Sequence, residues 1–192
     1  PLSSLAAAFP RDVSSDEAQR AVARGLGLPR GLDSAAAMRE FDPVRELTHG
    51  PDGALVLAAC ARVQCTATLL AAGLAPLLSL APSATAALGV HALNELAARL
   101  HAASHPQRAS MSDDGAFEFT HKRDLIGLAR AAATAAGRPP PEREMETVDQ
   151  LAQIVASINR EIDNAIGDHA AHPRPLYMQL LAHLACAPLV KH

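Results

Sequence analysis

The sequence predicts an all-α fold: a single domain over residues 1–192, built as a bundle of about six or seven helices around one buried apolar helix at about 54–75. Three observations predict it. Alanine is roughly a fifth of the 192 residues and has the highest intrinsic helix propensity. Strand formers are sparse and rarely alternate, and with aromatics at 3% the core must be assembled from Leu, Ile, Val and Ala. Finally, Gly53–Leu80 contains a single formal charge, Arg62, and a single amide, Gln64, so no polar face persists around its helical wheel. The chain is long enough to bury a substantial core without disulfide or metal staples.

Taken in order, residues 1–13 read as irregular, with Pro10 closing a short alanine run. Ser14 and Glu17 have capping-box spacing, in which the hydroxyl takes an orphan amide of the first turn and the carboxylate reaches back. The helix that follows carries Ala18, Val22 and Leu26 at one-turn intervals and stops at Gly27 and Pro29. Asp33 or Ser34 caps a brief helix to about Arg39. The segment from Phe41 to Gly53, with two prolines and two glycines, is a loop with one turn at Val44–Leu47.

The central helix starts near Ala54 and is kinked or ended by Pro76 before Leu80. After Pro82 and Ser83 a helix over about 84–104 places Leu93, Leu96 and Leu100 on one face, and the proline after His105 stops it. Residues 106–119 form the main loop, which Phe117 and Phe119 pin to the core. Thr120 caps the next helix, carrying Leu125, Leu128, Ala129 and Ala132 to Gly137. Residues 138–141 are a stiff proline-rich connector. In the long helix over about 142–170, Val148, Leu151, Val155, Ile158, Ile162 and Ala165 recur at steps of three and four, as bundle or coiled-coil packing requires. A last, largely apolar helix spans about 175–187.

Gly53–Leu80 is long enough to cross a bilayer. Against this stands Arg62, since a central arginine costs about 2.5–3.5 kcal/mol on insertion. Flanking aromatic or lysine anchors are also missing, so the expectation is a buried helix of a soluble protein, with no membrane partner. Arg62 then requires a carboxylate or a route to water, and Glu95, Glu161 and Asp163 are the candidates. The other buried polar candidate is Asn159, inside the apolar seam with Asp163 one turn on.

Composition excludes several function classes. A net charge of −3, with pI near 6.3, argues against nucleic-acid binding, which calls for a basic stripe. Charged residues at 19% fall below the roughly 25% of typical domains. Cys60, Cys65 and Cys186 form neither a thiolate zinc motif nor a disulfide framework. No leader pattern is present, so the expected location is cytoplasmic, although the chain lacks a starting Met as a processed or trimmed one would. Gly-x-Ser-x-Gly and phosphate-cradling glycine loops are both absent.

The one pattern with chemical potential is a pair of polar stripes. His91, Glu95, His101 and His105, with Asn94, share a face opposite the leucines of their helix. Glu161, Asp168 and His172 share another on the long helix. Facing helices that give imidazoles and carboxylates are how bundle metal sites are built, so these seven residues are candidate ligands for a divalent metal, a di-iron pair included. The Glu-x-x-His spacing of ferritin-like di-iron bundles, however, is absent from both stripes and occurs only at Glu118–His121. The leading expectation is therefore a helical protein-interaction or regulatory domain without catalytic activity, self-associating as a homodimer. The alternative is a metal-dependent helical-bundle enzyme or a small-ligand binder.

Overall fold

Local capping and face-forming residues set the helix boundaries in the computed structural model, which describes residues 2–46, 51–104 and 117–171, with side chains to residue 166 in the last stretch. Eight α-helices fall within these residues. Helix α1 (Leu2–Ala7) corrects the irregular reading of residues 1–13: Leu2, Leu5 and Phe9 share a face and are all buried. A helix of six residues is too short to persist alone, so its stability comes from that packing. Helix α2 (Ser15–Gly25) begins as its capping residues predict, with Ser14 Oγ accepting the Glu17 amide at 3.2 Å. Ser34 Oγ caps α3 (Ala35–Glu40) by accepting the Ala37 amide at 3.1 Å. The turn expected near Val44 is the four-residue α4 (Pro43–Glu46). Helices α1 and α4 raise the number above the six or seven expected.

Helix α5 (Asp52–Leu77) is the central helix. It accommodates Pro76 in its last turn and ends just beyond. The Ser79 amide bonds the Pro76 carbonyl and the Leu80 amide bonds the Ala75 carbonyl, with Ser79 at φ 51°, a Schellman ending that closes the orphan carbonyls. Helix α6 spans Thr85–Ser104. Helix α7 (Lys122–Ala135) starts after His121, not Thr120, and has no side-chain cap. Its first-turn acid instead reaches backward, Asp124 Oδ2 accepting the Glu118 amide at 2.9 Å. Helix α8 (Met145–Ala171) is the long amphipathic helix. The helix expected over 175–187 and most of the 106–119 loop lie outside the described residues.

Helices α5 to α8 form a ring in which each packs on the next and α8 closes on α5. Helices α6 and α8 therefore occupy opposite corners. Arg62 lies opposite Asp163, Thr66 opposite Asn159 and Gly73 against Leu151, so α5 and α8 run antiparallel. Helices α1 and α2 form a second layer against α6.

The main core gathers Leu70, Leu74, Leu88, Leu96, Leu125 and Leu128, all under 2% exposed. A smaller cluster joins the first half of α5, through Ala54, Leu57, Ala58 and Ala61, to Ile162 and Ala165 of α8. By length and composition α5 could cross a membrane, yet about two thirds of its most apolar window is buried within the fold. The expected seam of α8 is mixed in depth: Val148, Val155, Ile162 and Ala165 are buried, while Leu151 and Ile158 are half-buried.

Candidate functional site

Four polar residues of α5 and α8 meet in one layer between the two apolar clusters, while Gln64 of α5 bonds Thr68 on its own helix at 3.2 Å. Arg62 and Thr66 are one turn apart on α5, and Asn159 and Asp163 are one turn apart on α8. The antiparallel pairing joins them crosswise. Arg62 Nη1 donates to Asp163 Oδ1 at 3.1 Å, with side-chain exposures of 20% and 38%. Of the three acids open to Arg62 in the sequence, Asp163 is its partner. Asn159 is fully buried and donates through Nδ2 to Thr66 Oγ1 at 3.0 Å and to the Phe119 carbonyl at 2.9 Å. Two atoms of this layer, Arg62 Nε and Asn159 Oδ1, are buried with no hydrogen-bond partner among the described residues.

The segment entering α7 completes the layer. Phe117 and Phe119 are buried and meet edge to face, with centroids 5.0 Å apart. The Arg62 guanidinium lies 5.7 Å above the Phe119 ring, and that of Arg99 lies 5.9 Å above Phe117. Arg99 is held in turn by Glu95, one turn back on α6, at 3.2 Å. The two phenylalanines thus sit in the core as expected, and two arginines over their rings and an asparagine on the Phe119 carbonyl add to their hold.

The metal-ligand candidates are dispersed. Glu95 is spent on Arg99. His91 is half-buried, and His101 packs edge-on against Phe9 with ring centroids 5.7 Å apart. Glu161 is exposed on the opposite corner of the ring. His105, His172 and the side chain of Asp168 lie outside the described residues. Among the described residues, no three or more His, Cys, Asp or Glu side chains come together as metal ligands would.

Chemically, the layer holds helices together. Its carboxylate is matched by a guanidinium and its amide is engaged by a hydroxyl and a carbonyl. Nearby, burial pushes the Cys65 thiol above its ordinary range, which disfavours the nucleophilic thiolate. Sequence reading overlooked Thr66 and Arg99. The signal for Thr66 was present: the one-turn step from Arg62 to Thr66 matches that from Asn159 to Asp163. A scan against protein-family models finds no match, and searches of curated proteins and of solved structures find none either.

Proposed function

We propose that this chain is a non-catalytic helical interaction domain that self-associates through the outer margin of α5 and α8. One observation carries the reading, an uncharged apolar strip along that margin. Helix α8 contributes Leu151, Ile154 and Ile158, and α5 contributes Cys65, Leu69 and Ala72 at helical spacing. Ile154 is 56% exposed, the most exposed large hydrophobic side chain among the described residues. The two rows adjoin, because Cys65 and Ile158 pack on the same cluster and Leu151 rests on Gly73.

A second copy suits this strip. The exposed neighbours Gln150, Ser157 and Asn164 are uncharged, and the acid on this face, Glu161, lies two turns from Ile154, so copies related by a two-fold axis near Ile154 keep their two Glu161 side chains apart. Apolar surface removed from water contributes about 25 cal/mol per Å2.

Sedimentation of the wild-type chain and of Ile154→Asp tests the proposal. The expected result is a wild-type dimer and a monomeric variant. Because the side chain is surface-placed, the variant's folding stability should match the wild type within about 0.5 kcal/mol when both are measured at concentrations where the wild type is dissociated. A wild-type chain that stays monomeric at every accessible concentration overturns the self-association. Near-stoichiometric metal in untagged purified protein overturns the non-catalytic reading.

A further inference from the structure

A cleft of about 390 Å3 opens between α1, α2 and α3, away from the α5–α8 margin. Its volume lies within the roughly 300–1,000 Å3 of small-molecule sites. Small side chains create the room: Ala6, Ala18 and Ala35 line it where larger residues would close it. Phe9, Val13 and Met38 complete an apolar floor. Gln19, only 2% exposed, also lines it and spends an amide hydrogen on the Leu32 carbonyl at 3.4 Å.

The rim is cationic. Arg11 and Arg39 both line the cleft and both are exposed. Arg39 uses Nε on the Ala35 carbonyl at 3.1 Å, which leaves its two Nη groups for another acceptor. Among the described residues, neither guanidinium ion-pairs with a carboxylate. Asp16, the acid at the α2–α3 junction, accepts the Ala35 amide at 3.1 Å.

An apolar floor beneath two uncompensated guanidiniums is complementary to a short aliphatic chain ending in an anion. We propose that this cleft binds a medium-chain carboxylate, with its alkyl chain on the Ala6, Phe9 and Met38 floor and its carboxylate between Arg11 and Arg39. Guanidinium–carboxylate pairing is charge-assisted and directional, whereas the floor supplies affinity without selecting the head group.

Titration calorimetry of the full chain with decanoate below its micellar concentration tests this, with decanol as the neutral probe of equal chain length. The expected result is saturable binding of one decanoate per chain and binding of decanol weaker by at least about tenfold. Arg11→Ala with Arg39→Ala should remove that preference, and Ala6→Leu, which fills the cleft, should remove binding with the far-ultraviolet circular dichroism unchanged. Ile154→Asp should bind as wild type does, which separates this site from the self-association surface. The proposal is overturned by absence of decanoate binding, by equal binding of both probes, by retention in Ala6→Leu, or by loss in Ile154→Asp. If Ala6→Leu fails to fold, Ala35→Leu provides the same filling from α3.

Discussion

The two margins of α8 meet α5 on opposite terms. On one, Asn159 and Asp163 face Thr66 and Arg62, and each pairing is fixed by a hydrogen bond of 3.0–3.1 Å. On the other, Leu151, Ile154 and Ile158 lie beside Cys65 and Leu69 with no directional bond and with Ile154 largely in water. The polar margin favours one register, because a one-turn slip re-pairs only one residue of each helix, Arg62 with Asn159 or Thr66 with Asp163, and leaves one polar group and one charge without partners. The apolar margin tolerates sliding, since hydrophobic contact is non-directional. One margin thus holds the register of the fold, and the other is the surface proposed for self-association.

Asn159→Ala strikes the polar margin hardest. It removes both bonds of a fully buried amide and strands the Phe119 carbonyl, at a cost of about 2–3 kcal/mol. Urea denaturation should show a lower midpoint with an unchanged slope. An unchanged midpoint would mean that the helices hold their register without the amide, and the contrast between the margins would fail.

Asp163→Asn should cost less. The pair is partly open to solvent, so its loss is worth about 0.5–1 kcal/mol and should shrink as salt is added. The substitution keeps an oxygen acceptor for Arg62, and the Phe119 ring still faces the guanidinium. A loss that is large and indifferent to salt would indicate that Arg62 is left desolvated, and would move this pair from the margin into the core.

The sequence made the apolar skeleton plain. The central helix follows from an apolar run with no lasting polar face, and the leucine face of α6 and the seam of α8 follow from periodicity, because burial of one face is what produces periodicity. Ser14 was legible for a similar reason, since a cap is local chemistry, and of the two caps open at the next helix, Asp33 and Ser34, the structure selects Ser34. The partner of Arg62 was not: Glu95, Glu161 and Asp163 are equal in the sequence, and only the register between helices 101 positions apart selects Asp163. Helix α1 escaped reading because six residues carry too little pattern, and its helix forms against α2 and α6 rather than from its own propensity. The cleft escaped for the opposite reason, being defined by alanines, which read as ordinary helix in any sequence. The two histidine stripes show the limit of helical wheels. They put His91, Glu95 and His101 on one stripe of α6, but Glu95 turns to Arg99 and His101 to Phe9, and whether the stripe meets Glu161 depends on which corner of the ring α8 occupies.

The smallest effect is expected at Gly73, and it is the sharpest probe of the apolar margin. A Cβ added there would come within 2.6 Å of both methyl carbons of Leu151. In a closed core such overpacking costs about 1–3 kcal/mol. Leu151, however, is only half-buried, and its methyls are the far end of a flexible side chain with water to move into. Replacing a mid-helix glycine by alanine meanwhile returns about 1 kcal/mol of helix propensity. The two nearly cancel, so Gly73→Ala should shift stability by less than about 0.5 kcal/mol. The displaced Leu151 would then stand further out on the strip, and the proposed dimer should tighten or repack while the monomer fold stays as it was. A loss above about 2 kcal/mol would mean that Leu151 is held as firmly as Leu70 or Leu74, and that this margin of α8 is core rather than a surface left open for a partner.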